Sequence, residues 1–148
     1  MPLKINISEK HGKTYHIDLE SENLFGKQIN EKIKGNEVSP ELLGYELEIT
    51  GASDKAGFPA LGDFETLGLK GVLLSYGKGM HRRSRREGKR KRSNFTPNGL
   101  RLRKKVRGKI LSPEIAQINL KVLKEGEKKL SEIFPEQNKA KTEAVVAQ

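Results

Sequence analysis

Fourteen cations carry the residue types and spacing that point most directly to chemistry in this 148-residue chain. Arg82, Arg83, Arg85, Arg86, Lys89, Arg90, Lys91 and Arg92 form one group. Arg101, Arg103, Lys104, Lys105, Arg107 and Lys109 form a second. The chemistry is that of a polyanion site: neutralising phosphates releases condensed counterions, and that release drives association. In the first group arginine outnumbers lysine six to two. The planar guanidinium meets phosphate bidentately and stacks on bases, which favours structured RNA over plain charge attraction. "KRKR" at 89–92, preceded by "RRSRR", also fits a nuclear localisation signal or a basic tail. Two strand-like segments follow it, which argues against a tail. Self-repulsion and low apolar content predict poor order in the free protein. Phe95 follows, as a base-stacking ring or as a packed loop aromatic.

The second group has a geometry. If 100–111 is a strand, successive side chains alternate faces. Leu102, Lys104, Val106, Gly108 and Ile110 then share the core side. Arg101, Arg103, Lys105, Arg107 and Lys109 line the other, each about 6.6 Å from the next. A solvated strand face normally mixes signs, because like charges in a row repel. Five cations without an acid need a reason, and a phosphate backbone supplies one.

Other constellations are weaker. His11, His16 and His81 are dispersed, and His11 and His16 lie on opposite arms of a predicted hairpin with no third ligand indicated. Ser53 and Asp54 with His16 could be drawn as a hydrolase set, but no motif places a nucleophile on a strand-to-helix elbow. Asp54 fits better as a turn cap that accepts from the backbone. "GLKGV" and "GKGMH" lack the lysine and hydroxyl residue of a phosphate loop. Cysteine is absent, which removes disulfides, thiolate zinc sites and cysteine nucleophiles together. No enzymatic activity, metal, cofactor or small-molecule substrate is expected.

Charge is segregated along the chain. Residues 78–109 hold 15 of the 29 Lys and Arg and one of the 19 acids, a net +14; the remainder is −4. Such asymmetry points to an anionic partner. No apolar run approaches the roughly 20 residues of a membrane helix, so no membrane partner is expected. The first residues alternate with polar ones, so no signal peptide is expected.

Short strands must position the cations. Leu3, Ile5 and Ile7 alternate, as do Tyr15, Ile17 and Leu19, with Gly12 between: a hairpin. Residues 24–38 read as turns around a short strand. Tyr45, Leu47 and Ile49 point one way in "GYELEIT" (44–50), and 51–62 is turn chemistry. "LKGVLLSYG" (69–77) is continuously apolar, as a central strand would be. Ala116, Ile118, Leu120 and Val122 share a face. Leu130, Ile133 and Phe134 have helical spacing, stopped by Pro135. The expected fold is mainly β: a small six-stranded barrel-like domain over 1–125 including the basic loop 78–100, a short helix over 126–135 and a flexible tail over 136–148.

"GYELEITGASDKAGFP", "GVLLS", "GLRLRKKVRG" and "SPEIAQINLKV", in this order, resemble the archaeal and eukaryotic small-subunit ribosomal protein six family (S-six-e). The resemblance spans roughly residues 3–125. It implies a β-barrel domain bound to small-subunit ribosomal RNA beside neighbouring ribosomal proteins, cytoplasmic and without enzymatic activity. It also implies that Arg101, Arg103, Lys104, Lys105, Val106, Arg107 and Gly108 sit at the RNA-facing strand and turn. Lys55, Gly57, Phe58 and Pro59 match the family's glycine-proline turn, in a folding or an RNA-contacting role. Ala52 stands where the family pattern has a second glycine, and Ala60 where it has methionine. The stretch 82–98 is longer than the family loop. The long basic extension of eukaryotic members is missing, so the chain is similar to the archaeal short form. A free-standing nucleic-acid adaptor or RNA chaperone is the alternative; it would want stacking aromatics on its binding face.

Overall fold

A computed structural model describes residues 2–19, 23–81 and 98–138. Its strands are β1 (Leu3–Ser8), β2 (Thr14–Leu19), β3 (Lys32–Lys34), β4 (Glu46–Asp54), β5 (Leu69–Leu74), β6 (Leu102–Arg107) and β7 (Ile115–Lys124). Helix α1 (Leu130–Ile133) follows, and two single-turn 3-10 helices lie between β3 and β4.

Five strands form one mixed sheet in the order β2-β1-β7-β4-β3; β5 and β6 form a separate two-stranded ribbon. The long strand β7 runs parallel to β1 and antiparallel to β4. Its alternation decides its face: Ile118, Leu120 and Val122 are buried against Ile5, Ile7, Leu47 and Ile49. The β1–β2 hairpin forms where period two places it. Gly12 turns it at φ 85°, a left-handed angle that costs glycine little.

The mainly β class and the short helix are as expected; among the described residues the strands form two sheets and not the expected six-stranded barrel. Neither sheet closes on itself. Between β4 and β6 lie only single bridges through the 59–60 segment, Ser53 to Pro59 and Ala60 to Arg107, among the described residues, rather than a continuous ladder. The reason lies in β5. Its apolar run suggested a central strand, but its place is the ribbon, with Leu69 45% and Leu73 54% exposed. Among the described residues only its other face is covered, by a small cluster of Leu61, Val72 and Val106 with Phe64 and Leu74.

One irregularity matters beyond the fold. Along β4, Ile49 faces Leu120 and Gly51 faces Asn119, so Thr50 is an extra residue, a β-bulge. Before it the odd-numbered Leu47 and Ile49 point inward. After it the even-numbered Ala52 and Asp54 are buried. The bulge therefore carries a carboxylate into the protein. It also lengthens β4 to Asp54, into what reads locally as turn.

The C-terminal segment packs across the opposite edge. Leu130 is buried in the main core, and the Phe134 ring lies 5.9 Å from that of Tyr15. The Gln137 side chain accepts from the His16 N–H and donates to the His16 carbonyl, each at 2.7 Å; Asn138 donates to the Thr14 carbonyl. These amides satisfy part of the free edge of β2.

Candidate nucleic-acid interface

The ribbon register sorts the second cationic group. Leu74 faces Leu102, Val72 faces Lys104 and Lys70 faces Val106 on one side; Leu73 faces Arg103, Gly71 faces Lys105 and Leu69 faces Arg107 on the other. Arg101, Arg103, Lys104 and Lys105 are all exposed. Neither β5 nor β6 contains an acid, and none of these four cations has an acidic partner among the described residues. Arg103 lies over the open surface left by Gly71: a Cβ there would be 3.9 Å from Arg103 Cγ. Lys104, expected on the core side, reaches water instead, because the small cluster under the ribbon is centred on Val106 and Val72.

Arg107 does not line the solvent face as strict alternation predicts. Its side chain is 9% exposed and its Nε donates to Asp54 Oδ2 at 3.0 Å; a second nitrogen pairs with Glu114. The cause is tertiary. At Arg107 the chain is hydrogen-bonded on its other side to the 59–61 segment, Arg107 N–H to Pro59 O at 2.8 Å and Leu61 N–H to Arg107 O at 3.0 Å. The bulge has delivered Asp54 to the same spot. Lys109, half-buried, is paired with Glu65 at 2.5 Å. Two of the five cations assigned to one face thus hold acids of the same chain.

Asp54 organises the Ser-Asp-Lys-x-Gly-Phe-Pro turn, as its capping position suggests. Its Oδ1 accepts from the Ala56 N–H at 2.6 Å and from the Phe58 N–H at 3.3 Å. Burial works against its ionised form. The Arg107 guanidinium and the Phe58 and Ala56 N–H groups outweigh that and hold its carboxyl below the usual range. Gly57 takes φ 86°, Phe58 and Pro59 are half-buried, and Lys55 is exposed at the tip. Gly108 ends the strand where a Cβ would fall 1.8 Å from Thr66 O. Only glycine fits there.

Arg82, Arg83, Arg85, Arg86, Lys89, Arg90, Lys91 and Arg92 lie outside the described residues, as does Phe95. His16 belongs to a surface ladder, its Nδ1 2.8 Å from Asn6 Oδ1 and its Nε2 3.2 Å from Asp18. Among the described residues no group of three His, Cys, Asp or Glu could hold a metal. Sequence reasoning passed over Tyr76, the third residue of "LSYGKG". It stands beside Arg101 at the root of the cationic segment, in a cleft with Asn98 and Leu100. Its position two residues ahead of the first cation of the basic window was the available signal.

Among the described residues, then, a mainly β protein carries four exposed cations on and beside a ribbon free of acids. The profile of the family Ribosomal protein S6e matches residues 3–135, and the chain belongs to that family. The small ribosomal subunit protein eS6 of Thermoplasma acidophilum is 40% identical over 126 residues, covering 83% of this chain and 89% of that protein. That of Methanococcus maripaludis is 39% identical over 127 residues, covering 85% and 90%. That of Archaeoglobus fulgidus is 37% identical over 140 residues, covering 90% and 96%.

Proposed function

We propose that the protein is a structural constituent of the small ribosomal subunit, cytoplasmic with the ribosome, that binds ribosomal RNA through its cationic ribbon and supports translation without catalysing a reaction. The observation that carries the RNA contact is the set of four exposed cations on β6 and its approach, Arg101, Arg103, Lys104 and Lys105, on a ribbon free of acids. A ladder of cations at strand spacing neutralises successive phosphates, and the arginine-rich sequence 82–92 supplies further positive charge. Lys55 at the exposed turn tip is a further candidate contact. Arg107 and Lys109 act on the RNA indirectly, by fixing the ribbon and turn. The more acidic remainder of the chain meets solvent and neighbouring ribosomal proteins.

The salt dependence of binding tests this. Against transcribed small-subunit ribosomal RNA, log affinity falls linearly with log salt. Replacing the four exposed cations by glutamine lowers the slope by about 3, at about 0.7 to 0.9 per lost phosphate contact. An unchanged slope in the fourfold variant refutes the assignment of these residues.

A further inference from the structure

Two clefts open where β5 leaves the ribbon, and they share Ser75 and Tyr76. One, of about 620 Å³, is lined by Leu73, Tyr76, Asn98, Leu100 and Arg101 among others. The second, of about 320 Å³, is lined by Asn30, Leu61, Asp63, Tyr76 and Lys78 among others. Tyr76 is therefore a wall common to both. Both volumes fall in the range of about 300–1,000 Å³ typical of small-ligand sites.

The common wall is anchored on both sides. Ahead of it runs β5. Behind it Gly77 and Met80 exchange two backbone hydrogen bonds of 3.1 Å, closing a tight hairpin. Met80 is fully buried, and Lys78 Nζ donates to the Thr50 carbonyl at 3.0 Å. Gly79 turns the hairpin at φ 86° with Leu74 and Leu61 close beneath it.

Phosphate binding needs none of this. It calls for cations in water, not an aromatic wall with leucine and asparagine side chains in each cleft beside it. Apolar walls, a ring face and a few hydrogen-bonding groups are what an unpaired nucleobase requires: stacking on the ring and edge contacts to amide, hydroxyl or carboxylate. Arg101 lines the first cleft and also begins the cationic ladder, so one strand can set its phosphates on the ribbon and turn its bases inward.

We propose that Tyr76 divides a pair of nucleobase subsites, each cleft receiving one unpaired base of an RNA strand whose phosphates lie on Arg101, Arg103 and Lys105. This rests on the RNA-binding reading and adds base contact to it.

Tyrosine fluorescence tests it on the full chain. The protein has no tryptophan and three tyrosines, and Tyr15 and Tyr45 are 1% and 2% exposed. Tyr76 is thus the tyrosine a ligand can reach. The probes are a ten-nucleotide single-stranded oligoadenylate and a blunt ten-base-pair RNA duplex. The single strand quenches the fluorescence and the duplex does not. Tyr76→Leu weakens single-strand binding about 5- to 150-fold, the range for one stacked base. It leaves duplex affinity and both salt slopes unchanged. Tyr76→Phe, which keeps the ring, keeps the affinity. Asn98→Ala, which leaves the aromatic wall intact, also weakens the single strand selectively. If Tyr76→Leu and Asn98→Ala bind both RNAs as the parent does, the base subsites are refuted and phosphate contact stands. If neither RNA binds the parent protein, both readings fail.

Discussion

Replacing Arg107 by leucine separates a clamp from a ligand. In the native protein its guanidinium is 9% exposed and faces an Asp54 carboxylate that is 3% exposed. Glu114, 65% exposed, completes the set, and so solvent-screened a partner adds little, about 0–1 kcal/mol. Removing Arg107 strands the Asp54 carboxylate in the interior with only the Ala56 and Phe58 N–H groups to stabilise it. Breaking one side of a buried pair costs about 3–5 kcal/mol, against a total stability of about 5–15 kcal/mol. With a urea m-value of about 1.5 kcal/mol/M, the unfolding midpoint falls by about 2–3 M. The double variant Asp54→Leu with Arg107→Leu recovers part of that loss, because no uncompensated charge is left inside. The pH profile gives a second readout. The Asp54 carboxyl is lower in the folded than in the unfolded protein. Its stabilisation is therefore complete above the unfolded value, about pH 4, and is lost as pH falls through the folded value. Asp54→Asn flattens this acid limb. A midpoint shift below about 0.5 M for Arg107→Leu, with RNA binding lost, would refute the clamp and return Arg107 to the RNA face.

Further outcomes follow from the same geometry. The fourfold glutamine variant of Arg101, Arg103, Lys104 and Lys105 keeps its thermal midpoint, since exposed substitutions usually change stability by about 0.5 kcal/mol or less each; circular dichroism melting checks it. Gly108→Ala drives a methyl into Thr66 O and destabilises by about 3 kcal/mol or more, read as a lowered urea midpoint. Gln137→Ala frees the edge of β2 at a cost of about 0.5–1.5 kcal/mol, and amide exchange accelerates at His16 first. On sucrose gradients of native lysate the protein migrates with small subunits through moderate salt; release into the free pool would favour a soluble nucleic-acid adaptor.

Much of the fold is legible locally. Hairpin β1–β2, the inward Ile118, Leu120 and Val122 of β7 and the helix at Leu130 each follow from local periodicity, although a register shift replaces Ala116 by Ile115 on the buried side. The Asp54 cap is equally local, since an aspartate two residues ahead of an N–H can accept from it wherever the turn lies. Charge segregation needs only counting. These features depend on neighbours along the chain, which the sequence contains.

Local pattern therefore tells where the cations are, that they are one-signed, and which short strands surround them. Which of them face solvent was decided by tertiary structure. A single extra residue at Thr50 reverses the parity of β4 and turns Asp54 inward; pairing to β7 sets that bulge, and alternation cannot reveal it. Arg107 then leaves the wet face because a buried carboxylate waits for it. Leu69 and Leu73 stay exposed because no described element covers the outer face of β5, and the apolar run alone cannot say so. Tyr76 becomes a shared wall only once residues 30, 63 and 98–101 are brought around it. Burial and partnership are sums over residues distant in sequence, and the fold alone performs that sum.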